Sequence, residues 1–236
     1  MTRPNPTSAC AIIDGAAPPV TGSTNSTAAS YFAAIEASGF PGIGDKDPRL
    51  RRGLLDAYLQ RVIDRDLPEH GVTVRRPETL RRWLAAYAAA SSTTTAYSRI
   101  LDTTTAGDGT QPAKTTTIAY RDHLAQLWLL DPVPGWSPSR SPMTRLQQAP
   151  KHQLADPALA ARLLNLSART LATAVGSAMA GPLFESLATL TVRVAAQAAE
   201  SRVGHLRPAT ATTRSISSSK DPTARSSASR SSSQPP

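Results

Sequence analysis

The stretch Asp47–Leu67 reads DPRLRRGLLDAYLQRVIDRDL, and its spacing decides the class of fold. Asp followed by Pro is a helix start. The carboxylate caps orphan amide groups, and proline suits the first helical position. Leu55, Tyr58, Leu59, Val62 and Ile63 recur at three- and four-residue steps, so they share one face. Arg51, Arg52, Gln60, Asp64 and Arg65 fall elsewhere. The pattern predicts an amphipathic helix running to about Leu67, within a mainly α chain.

Outward from this helix, the same signals recur. Ala28 to Ser38 reads as a short helix stopped by Gly39 and Pro41. Pro77 starts another, with Leu80, Trp83, Leu84 and Tyr87 as its stripe and Arg81 and Arg82 toward solvent. Thr95 to Leu101 reads as a helix, Thr103 to Gln111 as a turn, and Ala113 to Leu130 as a longer helix. In the last of these, Ile118, Tyr120, Leu124, Leu127 and Trp128 are expected to face inward. Asp131–Gly135 stops it. Leu146–Ala149 and His152–Ala155 read as two short strands around Pro150-Lys151. Helix, turn, helix and a two-stranded ribbon is the winged-helix order. Asp156-Pro157 opens a further helix to Leu164. Leu183, Leu187, Leu190 and Val194 form a last stripe, on a helix expected to begin near Pro182.

Five segments follow: an irregular 1–27, a helical 28–90, a winged-helix-like 91–164, a helical 165–206, and a disordered Ser/Arg-rich tail over 207–236. Several stretches carry a resemblance. They are Ser38-Gly39-Phe40-Pro41-Gly42-Ile43, Leu55–Arg61, Arg65-Asp66-Leu67, Lys151–Pro157 and Gly181-Pro182-Leu183-Phe184-Glu185. Together they resemble the carboxy-terminal half of a bacterial and archaeal family of AAA-type ATPases with an uncharacterised, nuclease-like end domain. The resemblance implies a winged-helix connector followed by the start of an incomplete α/β domain. It also implies that the ATPase module lies outside this chain. The tail from Ala209 can be back-translated with GC-rich codons, and one consistent choice of them, read in a neighbouring frame, gives the acidic and Glu-Val-Lys strands that the family would place here. A frameshifted end is therefore expected. Without the sheet those strands would supply, the stripe Leu183–Val194 is expected to stay exposed or to pack on the winged-helix body.

Catalytic signatures are thin. Gly39–Gly44 lacks the lysine and preceding strand of a phosphate-binding loop and reads as a turn. His70, His123, His152 and His205 have no second ligand at metal-binding spacing, so each reads as a surface or packing histidine. In the resembled family an acidic residue at the position of Glu185 joins later acidic residues, which do not occur here. Glu185 is expected to be a first-turn glutamate favoured by the helix dipole. No catalytic residue, cofactor or metal site is expected. Lys114, Thr115, Thr116 and Arg121, at the start of the candidate recognition helix, are the residues suited to phosphate and groove contact with duplex DNA.

Composition agrees with a binding role. The 236 residues carry a net charge of +9, which suits an anionic partner. Cys10 is the single cysteine, so no internal disulfide is available. Asn25-Ser26-Thr27 and Asn165-Leu166-Ser167 match a glycosylation pattern, but no secretory signal is legible. Leu171–Phe184 is the longest apolar stretch and is too short to span a membrane. The expectation is a cytoplasmic, non-catalytic connector or interaction module, partnered by protein or by duplex DNA, with no small-molecule substrate.

Overall fold

The computed structural model describes residues 23–104, 114–136, 143 and 148–206. The fold is mainly helical with a small two-stranded sheet. Its helices are α1 (Ala28–Ala37), α2 (Pro48–Arg61), α3 (Leu67–Glu69), α4 (Pro77–Ala89), α5 (Tyr97–Thr104), α6 (Lys114–Gln126), α7 (Pro157–Leu163), α8 (Ala168–Leu171) and α9 (Ser177–Ala198). The strands are β1 (Gly135–Trp136) and β2 (His205–Leu206). The division into compact units falls after His205. The turn expected over Thr103–Gln111 is described only as far as Thr104, and the frameshifted tail lies outside the described residues, as does most of the irregular start.

The opening helix forms as its sequence dictates. Asp47 accepts from the amides of Arg49 and Leu50 at 2.9 and 3.1 Å. Leu55, Leu59, Val62 and Ile63 are buried, and Tyr58 is half-buried. The helix then widens into a π-helical turn over Val62–Asp66 before α3. Pro68 explains the widening. It has no amide to give to the carbonyl four residues back, and its ring would clash with that carbonyl in a regular helix.

α4 lies at the centre. Leu80, Trp83, Leu84 and Tyr87 are almost wholly buried. It packs against α5 and α7, while α1 packs against α7, α8 and α9. A buried carboxylate ties these parts together. Asp156 caps α7 through the Ala158 amide at 2.7 Å. It also accepts from the Gly39 amide at 2.6 Å and the Ser38 hydroxyl at 3.0 Å. The Gly-rich piece is thus a turn, as expected, fastened to the start of α7. Gly42 sits at φ +76°, where a side chain would be strained.

Three expectations are corrected. The helix expected to run to Leu130 ends at Gln126. Trp128 turns into the left-handed region at φ +59°, and the Leu129 amide reaches back to the Leu124 carbonyl at 2.9 Å. This closing turn sends Leu129 and Leu130 inward and leaves Trp128 74% exposed. Ile118 is also exposed, whereas Tyr120 and Leu124 are buried.

The expected ribbon is the second correction. His152–Ala155 does not pair locally among the described residues. Instead Lys151 bridges to Val133 and Leu154 to Leu130, both antiparallel. Val133 stands between two prolines, so its amide and carbonyl are the local groups able to exchange both bonds with Lys151, at 2.9 and 2.8 Å. Gly135 lies so close to Gln148 that a Cβ there would collide with it. Leu146 and Gln147 lie outside the described residues.

Third, the last long helix begins at Ser177, not near Pro182, and Pro182 lies inside it. Leu183 is buried, Leu187 and Leu190 are half-buried, and Val194 is exposed. The anticipated stripe therefore packs on the body at its start and leaves it toward its end.

Candidate functional site

The residues expected to touch DNA sit on α6. Thr115 is exposed, Thr116 is half-buried, and the Lys114 side chain lies outside the described residues. Arg121 is already engaged within the chain. Its guanidinium lies 5.0 Å from the Tyr97 ring centre and pairs with Asp122 at 2.8 Å. A cation held over an aromatic face and beside a carboxylate is a poorer phosphate ligand than a solvated one. Arg75, Arg76 and Arg99 are exposed elsewhere on the described surface.

Glu185 is placed in the third turn of α9, so a first-turn dipole contribution does not apply. Its carboxylate takes a hydrogen bond from Lys151 at 2.5 Å. On the same helix, Arg193 reaches Asp131 at 2.5 Å and donates to the Asp131 carbonyl at 2.9 Å. Both charged residues of α9 therefore hold it to the segments that bridge Val133 and Lys151. The Ser92 hydroxyl adds a third tie, to the Pro182 carbonyl at 2.7 Å.

Beneath these ties lies a buried polar cluster. His152 is 1% exposed and packs edge-on against Tyr87 and Tyr97, with ring centres 5.0 and 4.8 Å away. Its Nε2 lies 2.6 Å from the Thr95 carbonyl. A carbonyl only accepts, so Nε2 carries the proton and Nδ1 is left as an acceptor. Nδ1 has no partner among the described residues, nor have the Ser91 hydroxyl and Gln153 Oε1. Burial holds the His152 imidazole below its usual range, against the opposing pull of the Thr95 bond. Burial also pushes the Tyr87 and Tyr97 hydroxyls up. The histidine that read as a packing residue is indeed one. It fixes the Thr93–Thr95 loop to the segment Lys151–Leu154, away from solvent. Among the described residues, no group of three or more His, Cys, Asp or Glu side chains is placed to hold a metal. A shallow cleft of about 240 Å³ is lined by Pro134, Arg193, Gln197, Ser201, Arg202 and Val203.

The unusual surface is the outer side of α9. Ala188, Thr191, Val192, Val194, Ala195 and Ala198 are all exposed. Three turns of helix thus face solvent without a charge. A solvated helix face is ordinarily polar or charged. Sequence reasoning picked out Val194 as part of a stripe but did not isolate this outer face. The signal was available in the run Ala188–Ala198, where Arg193 is the single charged residue.

The family model described as Domain of unknown function (DUF8612) matches residues 28–170. The chain belongs to that family. The matched residues take in α1 to α7 and most of α8, and α9 lies beyond them. Nothing among the curated proteins or the solved structures matches the chain. No helix among the described residues is long and apolar enough to cross a membrane.

Proposed function

We propose that this DUF8612 protein is a non-catalytic interaction module whose docking surface is the outer face of α9. The uncharged, exposed run on that helix carries the reading. Exposed apolar faces on otherwise charged proteins mark contact sites. The rest of the chain serves as a rigid mount, because Lys151, Asp131 and Ser92 each fasten α9 to the body. The resemblance to the carboxy-terminal half of AAA-type ATPases supplies a setting. There, winged-helix segments connect a motor to an end domain, and this chain would act as such a connector in the cytoplasm without binding ATP.

The experiment is retention on the immobilised full-length chain, run in parallel with an Ala195→Glu variant. A defined protein partner from the source cell that the unaltered chain holds at high salt, and that the variant releases, supports the module. Retention of duplex DNA that falls steeply with salt, and is the same for both proteins, would overturn it. That outcome would favour the second reading, a small basic DNA-binding protein. The exposed Arg75, Arg76 and Arg99, together with the exposed Thr115, are the observation on its side.

A further inference from the structure

We infer that the partner seated on the α9 face is a second copy of this chain, with the two helices packed antiparallel. The inference rests on the interaction-module reading and names its partner. Phe184, Ala188, Thr191, Ala195 and Ala198 follow one another at steps of four, three, four and three residues. That is the spacing of a helix-pairing seam. All five are exposed, and Phe184 also meets Tyr31 edge-on at 4.9 Å. The seam covers about 21 Å at the usual helical rise.

Three features favour a second copy over another partner. First, the seam is self-complementary. A two-fold axis at Thr191 sets Phe184 against Ala198 and Val194 against Ala188. Each larger side chain then meets a small one, and small residues let the backbones approach. A two-fold interface requires this match of a surface with itself. Second, the face offers nothing for an ionic partner to recognise. Glu185 and Arg193 border it, and both are satisfied inside the chain. Two neutral faces meet without a buried unpaired charge. Third, the matching surface must itself be an uncharged helix face. The outer sides of α2, α4, α5 and α6 carry Arg49 and Asp56, Glu78 and Arg82, Arg99, and Asp122. Among the described helices longer than two turns, α1 and α9 have an uncharged outer run, and that of α1, Ala28–Ser30 and Ala33, spans under two turns, too short to cover the seam. A single pair of such seams buries at or below about 1,200 Å², the range of weak assemblies. The dimer is therefore one that forms and dissociates with concentration.

The test uses the full chain with Cys10→Ser, so that an added thiol is the sole one. Thr191→Cys places a thiol on the two-fold axis, and Gln126→Cys places one on exposed α6 as a control. Mild oxidation should convert Thr191→Cys to a species of twice 24.9 kDa, and should leave Gln126→Cys largely single. Sedimentation of the unaltered chain should show reversible self-association. Ala195→Glu or Val194→Glu should weaken it about tenfold or more, with helix content unchanged by circular dichroism. A chain that stays single at every concentration, or equal cross-linking at both positions, overturns the second-copy inference. If the chain is single while Ala195→Glu still loses a defined protein partner, the module stands and the second copy falls. If the chain is single and Ala195→Glu loses nothing, both fall.

Discussion

α4 and α9 are both apolar helices, and they dispose of their apolar residues in opposite ways. α4 buries Leu80, Trp83, Leu84, Tyr87 and Ala88 within 13 residues. Glu78 and Arg82 stand on its outer side. α9 buries only Leu183 and Ser186 of its 22 residues. Its outer side is alanine, valine and threonine. Apolar content does not place a helix; its arrangement does. α4 is amphipathic, so one chain satisfies it. α9 is apolar on both sides, so its body side is met by the fold and its outer side is left facing solvent.

The largest expected effect separates the two helices directly. Trp83→Ala should destabilise the dilute chain by about 3–5 kcal/mol, because it empties the centre of the core. Val194→Ala should stay within about 0.5 kcal/mol under the same conditions. Urea unfolding below the self-association range measures both. Comparable losses would mean that α9's outer face is already covered within its own chain.

The next effect concerns the mount that holds both helices. Asp156→Ala should lose about 1–2 kcal/mol, since it removes the cap of α7 and the acceptor of the Gly39 amide and the Ser38 hydroxyl. Asp156→Asn should recover part of this. A variant as stable as the parent would show that the turn at Ser38–Gly44 does not depend on that carboxylate.

A smaller effect lies in the cluster where His152 packs between Tyr87 of α4 and Tyr97 of α5. Burial lowers the folded His152 pKa below the unfolded value of 6.5. Above that pH the imidazole is neutral in both states and costs nothing. As pH falls below it, the unfolded chain takes up a proton that the folded chain refuses, and stability declines. One proton gives a slope of at most about 1.4 kcal/mol per pH unit. His152→Phe should flatten this part of the profile. Asp131→Asn is the needed control, because burial raises that carboxyl. Asp131 thus contributes in the opposite sense at more acidic pH, being more readily protonated when folded. An unchanged slope in His152→Phe would place the titration elsewhere.

Much of the helical scaffold was legible. Asp47-Pro48 and Asp156-Pro157 each announced a start, and both aspartates cap as expected. The stripe of α4 was read residue for residue. Less legible was whatever depends on distant partners. Leu154 lies in a segment with a strand signal, but its partner Leu130 ends a helical run, so the spacing points to the nearer Leu146–Ala149 as the pairing segment. Trp128 follows a helical run, and nothing local announces that a tryptophan will close a helix at positive φ. Ser177-Ala178-Met179-Ala180 carries no side-chain cap, which hid the true start of α9 behind Pro182. Of the expected DNA contacts, Arg121 was found to be held by Tyr97 and Asp122. Asp122 is adjacent in sequence, but Tyr97 belongs to another helix and its hold on Arg121 is not legible from spacing.

The central claim is that α9's outer face is completed by a second copy. It is tested most directly by the melting temperature of the full chain across a dilution series. Dissociation consumes free energy that depends on concentration, so an assembling chain melts higher as it is concentrated. We expect Tm to rise with concentration for the unaltered chain and to stay flat for Ala195→Glu, the two converging at high dilution. A Tm that is independent of concentration in both proteins, or that rises equally in both, would contradict it.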